Sequence, residues 1–277
     1  MNIPHLLLNT KATIPQFGLG TYKLEADSTA EIVTKAAHLG YRHFDTAQMY
    51  KNEAEVAAGI RASGIPREEF FVTSKLLPAN NQPDKARRSF SESLERMQFD
   101  YVDLFLIHWP MPHLADADFC VTWRVLEEFY AQGLAKAIGV SNFLKHHLQR
   151  LLAETEVIPA VNQIESHPHL QLPDLHEFCA QQGILIEAWS PLARGRVFSE
   201  PVLLKIAQLL GKTPAQVTLR WALQRGDIVF PKTASPERLA ENLDIFDFEL
   251  SPEQMEAISG LDRGEAGRIG PHPDRMA

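Results

Sequence analysis

Eight short runs of apolar, β-branched and aromatic residues recur along the chain, each separated from the next by a longer amphipathic segment. They are Phe17–Thr21, Arg42–Thr46, Phe70–Lys75, Val102–His108, Ala135–Val140, Ala160–Ile164, Ile184–Trp189 and Ile228–Pro231. Strands that alternate with helices demand right-handed parallel crossovers, and eight such units fit a closed (β/α)8 barrel of the TIM type better than an open sheet. Helix punctuation agrees. Ser28 and Glu31 have capping-box spacing and Gly40 follows as a stop. Ser235-Pro236 and Ser251-Pro252 read as N-caps with proline at the first helical position, and Pro66, Pro83 and Pro173 precede helical patterns. No low-complexity linker divides the 277 residues, so residues 1–277 read as one α/β domain. The residues before Phe17 are expected to cover the barrel's bottom. Residues 262–277 form a tail with three glycines and two prolines. Its pattern favours a disordered end over a loop that folds across the site.

Composition excludes several classes. Lys plus Arg 27 against Asp plus Glu 35 gives a net charge of −8, which disfavours a nucleic-acid or anionic-membrane surface as the main partner. The two cysteines, Cys120 and Cys179, stand too far apart for a metal or redox motif, and a reducing compartment suits them. The first residues lack the cationic and long apolar regions of a secretory signal, and no run approaches the ~20 apolar residues of a membrane span. A cytoplasmic enzyme is the expectation.

In a parallel barrel, functional residues gather at the C-terminal ends of the strands. The second candidate strand ends in Asp45 and runs on to Tyr50, the third ends in Lys75, and the fourth ends in His108. Acid, phenol, amine and imidazole on consecutive strands suit carbonyl reduction. A phenol with an ordinary pKa of ~10 holds a proton at neutral pH, and an ammonium beside it favours the phenolate. Asp45 supplies the counter-charge that a partly buried Lys75 needs, and His108 would orient the carbonyl oxygen. No nucleophile–base pair of the hydrolase kind accompanies them.

No side chain supplies a hydride, so a cofactor is required. Gly18-Leu19-Gly20 lacks the third glycine of a dinucleotide fingerprint, and Gly211-Lys212-Thr213 lacks the first glycine of a phosphate loop. The stronger anion site is Lys232-Thr233-Ala234-Ser235-Pro236-Glu237-Arg238, where a strand leads into a capped helix with two cations beside it. It suits the ribose 2′-phosphate that distinguishes NADP from NAD.

These residues resemble the signatures of the aldo-keto reductases. Gly40 to Ala47 with Tyr50 and Asn52-Glu53, Asp103 to Pro110, Gly139 to Phe143, Val161 to Glu165, and Pro231-Lys232 to Asn242 occur in that family's order and spacing. Within the family, the compact length and the Gly270 to Asp274 tail resemble the bacterial 2,5-diketo-D-gluconic acid reductases. The resemblance implies an NADP(H)-dependent reductase acting on keto sugars, dicarbonyls, 2-keto esters and aromatic aldehydes, with Tyr50 as general acid supported by Asp45, Lys75 and His108. It implies that Gly20 and Thr21 approach the cofactor and that Ser141, Asn142 and Gln163 hold the carboxamide. Trp189 would stack on the nicotinamide, and Ser190 and Leu192 would contact the pyrophosphate. Lys232, Thr233 and Arg238 would clasp the 2′-phosphate, with Glu241 and Asn242 on the adenine. The substrate wall would include Tyr22, Leu77, Trp109, His113 and the tail, and the chain would act as a monomer. Leu77 stands where relatives commonly carry tryptophan.

Two other classes compete. His167-Pro168-His169 and His146-His147 prompt a metal-dependent barrel hydrolase, although partner ligands at suitable strand ends are missing and no metal is expected. A non-catalytic, NADP-binding, redox-sensing barrel would keep the fold without turnover.

Overall fold

The computed structural model describes residues 3–111 and 118–276. Strands β1 (His5–Leu7) and β2 (Thr13–Pro15) form an antiparallel hairpin. Eight strands follow in one parallel sheet, each beside the next in sequence order. They are β3 (Leu19–Gly20), β4 (His43–Asp45), β5 (Phe71–Leu76), β6 (Val102–Ile107), β7 (Ala135–Ser141), β8 (Val161–Glu165), β9 (Leu185–Trp189) and β10 (Ile228–Val229). The sheet closes on itself: Phe17 bridges Val229 in parallel, and Gly18 and Gly20 donate their N–H groups to the carbonyls of Val229 and Phe230. A Cβ at Gly20 would meet the Phe230 carbonyl at 2.6 Å, so only glycine permits this seam.

Around the barrel run α1 (Ala26–Leu39), α2 (Glu53–Ala62), α3 (Pro83–Met97), α4 (Phe119–Ala131), α5 (Lys145–Glu154) and α6 (Pro173–Gln181). They continue with α7 (Pro201–Leu210), α8 (Pro214–Gln224), α9 (Pro236–Leu243) and α10 (Pro252–Ser259). The expected signals hold at most ends. Gly40 takes φ 107° and closes α1, and Ser235 and Ser251 cap α9 and α10. The start of α1 differs: the helix begins at Ala26, and the Ser28 hydroxyl donates back to the Glu25 carbonyl instead of capping. Ser28 therefore lies inside the first turn, where a serine bonds backward.

The main apolar core lies between the sheet and its helices. A second cluster fills the barrel interior, where Leu8 and Ile14 of the hairpin pack with Phe71, Val161 and Ile228 from the N-terminal ends of three strands. The bottom is thus plugged as expected, which leaves the C-terminal mouth for chemistry. Among the described residues, no helix is long and apolar enough to cross a membrane.

The tail corrects the expectation of a disordered end. Glu165, wholly buried at the end of β8, accepts the N–H groups of Ile269 at 2.6 Å and Gly270 at 2.9 Å. Gly270 lies so close to the Trp189 indole that a Cβ would come within 2.4 Å of it. Further on, Asp274 lies 3.1 Å from His146 and 3.0 Å from the buried His147. A carboxylate fixed on a strand end thus orders a segment more than 100 residues away, which no local pattern reveals.

Candidate active site

A cavity of about 580 Å³ opens at the C-terminal mouth of the barrel. Lys75 is its electrostatic centre. It is wholly buried on β5, and its ammonium donates to Asp45 Oδ1 at 2.6 Å, to the Thr46 carbonyl at 2.9 Å and to the Tyr50 hydroxyl at 3.2 Å. All three donors are used, as an ammonium without water requires. Asp45 ends β4, and Tyr50 follows it in the short turn Gln48–Tyr50. Removing one partner of such a buried pair costs about 3–5 kcal/mol.

Burial would lower the Lys75 ammonium, but the charge of Asp45 and the Tyr50 phenol outweigh it and raise it. For Asp45, burial raises the carboxyl, and the bonds from Lys75 and Gln163 only partly oppose that. Tyr50 departs from expectation. Lys75 pulls the phenol down as anticipated, yet loss of water outweighs the attraction and pushes it up to about 12. The phenol is therefore a loaded proton donor at neutral pH. The ring of His108 lies 5.7 Å from that of Tyr50, and burial together with Lys75 holds the imidazole well below its ordinary value. It is neutral and can offer one N–H.

The remaining expected residues divide by position. Ser141 donates to the Gln163 carbonyl, Asn142 donates to the His108 carbonyl, and the Trp189 indole N–H donates to Asn142 Oδ1 at 2.9 Å. One hydrogen-bonded wall results from four neighbouring strands, β6 to β9, and Asn142 holds a left-handed φ of 64° to complete it. Gly20, Ser190 and Leu192 line the same cavity, as do Lys232 and Arg238. Tyr22 and Trp109 line it too, with the Tyr22 ring 5.0 Å from that of Tyr50.

Others lie apart. Thr21 is buried and donates its hydroxyl to the Asp45 carbonyl, while Thr233 is buried and braces the turn before α9 by accepting the Ser235 N–H. Asn242 is buried off the cavity, and the Glu241 carboxylate accepts from the Thr213 hydroxyl at the start of α8. Leu77 lines a separate cavity with Gln48 and Asn80, behind the Tyr50 turn. His113 lies outside the described residues.

Several lining residues carried no expectation. Arg194 sits in the loop after β9, where Ser190, Ala193 and Arg194 take left-handed φ of 51°, 47° and 52°. Such clustered backbone strain marks functional loops. The basic Arg194-Gly195-Arg196 triplet after Pro191 was the available signal. Pro271 and Met276, by contrast, belong to the tail, which the resemblance puts in the substrate wall, and they line the mouth.

The histidines of the metal reading have other partners. His167 lies 3.0 Å from Glu165 and His169 lies 2.7 Å from Glu200, with the two rings 6.2 Å apart and perpendicular. His146, His147 and Asp274 do converge. However, His147 Nδ1 accepts the Leu144 N–H, so its neutral ring carries the proton on Nε2 and turns a donor, not a ligand atom, toward Asp274.

Comparisons with known proteins agree with this geometry. The model of the Aldo/keto reductase family matches residues 16–263. A glyoxal reductase of Bacillus subtilis (strain 168) is 47% identical over 270 residues, covering 97% of this chain and 96% of that protein. Methylglyoxal reductase DkgA of Escherichia coli (strain K12) is 43% identical over 265 residues, covering 95% and 94%. Among solved structures, a mutant of Gox0644 in complex with NADPH superposes with a TM-score of 0.95 at 42% identity over the full length of both chains. A Bombyx mori aldo-keto reductase in complex with NADP gives 0.89 at 34% identity, covering 97% and 96%. With a matching barrel, a matching family model and relatives similar along nearly their whole length, the chain belongs to the aldo/keto reductase family.

Proposed function

We propose that this protein reduces small aldehyde and ketone carbonyls to alcohols with NADPH, using Tyr50 as the general acid. One observation carries the assignment: a half-buried phenol lies 3.2 Å from a wholly buried ammonium paired with Asp45, beside a histidine held neutral. When bound, NADPH supplies the hydride that no side chain can. The chain's own part is to hold the carbonyl and deliver a proton. His108 donates its one N–H to the carbonyl oxygen and orients it. As negative charge develops there, Tyr50 releases its proton, which ends on the new hydroxyl. Lys75 then stabilises the phenolate, and Asp45 keeps Lys75 charged throughout.

The donor set suits this cofactor. Lys232, Arg238 and Arg194 line the cavity, and none has an acidic partner among the described residues. Three unpaired cations on a chain of net charge −8 favour a polyanionic ligand. Two of them flank the Ser235-capped start of α9, whose N–H groups and dipole add to the attraction. Lys232 and Arg238 would hold the 2′-phosphate, while Ser141, Asn142 and Gln163 would hold the carboxamide and Trp189 the nicotinamide ring.

For the substrate, Tyr22, Trp109 and the tail residue Met276 line the space beside Tyr50, and similarity to glyoxal and methylglyoxal reductases supports small dicarbonyls as the first choice. Keto sugars, 2-keto esters and aromatic aldehydes follow. NADPH oxidation with methylglyoxal, 2,5-diketogluconate, 2-keto esters and benzaldehydes tests both claims. Turnover with methylglyoxal at the highest kcat/KM of the panel is expected, and no turnover with any of them would refute the function.

A further inference from the structure

Glu187 lies within β9, wholly buried, and no step of carbonyl reduction uses it. Its Oε2 is 2.9 Å from Gln163 Nε2, and that same nitrogen is 2.8 Å from Asp45 Oδ2. Its other oxygen accepts no hydrogen bond from a described residue and faces His43 Nε2 at 3.8 Å. Burial holds that imidazole down near 3, so it brings no positive charge. A carboxyl buried with one hydrogen-bond partner costs more than an apolar side chain of similar size would. What it contributes is a second acceptor for one amide nitrogen.

The consequence is an orientation. Asp45 is already bound by the Lys75 ammonium, so the Gln163 atom beside it must be the NH2 group. With Glu187 on the other side, both protons of that group are directed inward and the amide cannot flip. The Gln163 side-chain oxygen, Oε1, accepts from no described residue, and Gln163 lines the cavity.

We propose that Glu187 is a positioning residue for the nicotinamide end of the cofactor site. Together with Asp45 it pins the Gln163 NH2 group inward, so that Gln163 Oε1 accepts from the carboxamide NH2 of NADPH. The role rests on the NADPH-dependent reading above. Without Glu187, one Gln163 proton loses its acceptor, and the amide, held by Asp45 alone, can swing about that single bond and carry its side-chain oxygen away from the carboxamide.

The test is cofactor discrimination in binding. Dissociation constants are measured by quenching of tryptophan fluorescence for NADPH and for reduced 3-acetylpyridine adenine dinucleotide phosphate, in which a methyl group replaces the carboxamide nitrogen. The wild type is expected to prefer NADPH by about tenfold, the worth of one buried hydrogen bond. Glu187→Met and Glu187→Asp should reduce that preference to within about twofold, because each withdraws the acceptor. Glu187→Gln, whose carbonyl still accepts, should retain it. An unchanged preference in Glu187→Met overturns the role, and Glu187→Asp decides the question if the methionine variant does not fold. Intact NADPH binding and turnover with an unchanged preference overturns Glu187 alone. A wild type that neither binds NADPH nor oxidises it with any carbonyl overturns the reductase reading itself.

Discussion

The Tyr50 hydroxyl stands 3.2 Å from the Lys75 ammonium, and the ammonium lies 4.7 Å from the centre of the phenol ring. At that distance Lys75 favours the phenolate, yet removal of water from around Tyr50 raises its pKa to about 12. Loss of solvent is the larger effect, and it keeps the phenol protonated at neutral pH. For His108 the two effects act together, and burial with Lys75 keeps the imidazole neutral and able to donate one hydrogen bond.

The cations at the mouth should set the cofactor preference. Lys232→Ala or Arg238→Ala is expected to raise the Kd for NADPH about 10–100-fold, as loss of a charge-assisted hydrogen bond does, and to change the Kd for NADH by less than about twofold. Titration of each variant with both cofactors checks this. Equal losses for the two would place the 2′-phosphate elsewhere.

The tail should be released by one substitution at the end of β8. Glu165→Ala leaves the N–H groups of Ile269 and Gly270 without their acceptor, at ~1–3 kcal/mol each. Trypsin should then cut after Arg268 and Arg275 at least about tenfold faster than in the wild type, under conditions where circular dichroism shows the variant barrel folded. Unchanged cleavage would mean that the Asp274 contacts hold the tail alone.

Glu187 should leave a signature in stability against pH. Burial and the nearby Asp45 raise its carboxyl to about 8 in the folded state, well above the ordinary value of 4.5. Between those values the unfolded chain has lost the proton that the folded protein keeps. The contribution is therefore full below about 4.5 and is lost as pH rises through about 8. Urea unfolding at pH 5 and pH 8 should show the wild type losing stability relative to Glu187→Gln. A constant difference between the two proteins would show that Glu187 ionises without cost.

Much of this site was legible because a parallel barrel brings strand ends together. Asp45, Lys75, His108 and Ser141 end or follow consecutive strands, and their register gathers them without further information. Tyr50 sits beyond its strand, in a turn that only the motif marks. Other features depend on contacts between distant segments. Glu165 was visible only as an acid at a strand end, since its partners lie 104 and 105 residues away. Glu187 was an oddity in the apolar run Ile-Glu-Ala-Trp, and pairing with Gln163 in register gives it meaning. Leu77 shares a strand end with Lys75, but its backbone N–H is tied to Gln48 and its side chain lines the neighbouring cavity. Strand-end logic finds the residues of a mouth and not which wall each one faces.

The central claim is that Tyr50 delivers the proton, and Tyr50→Phe tests it most directly because only the hydroxyl is removed. NADPH binding, measured by fluorescence, should stay within about twofold of wild type, while kcat for methylglyoxal reduction should fall by about 10²–10⁴-fold, the usual worth of a positioned general acid. A variant that binds NADPH normally and keeps more than about a tenth of the wild-type kcat would contradict the account, because loss of a general acid costs far more than that.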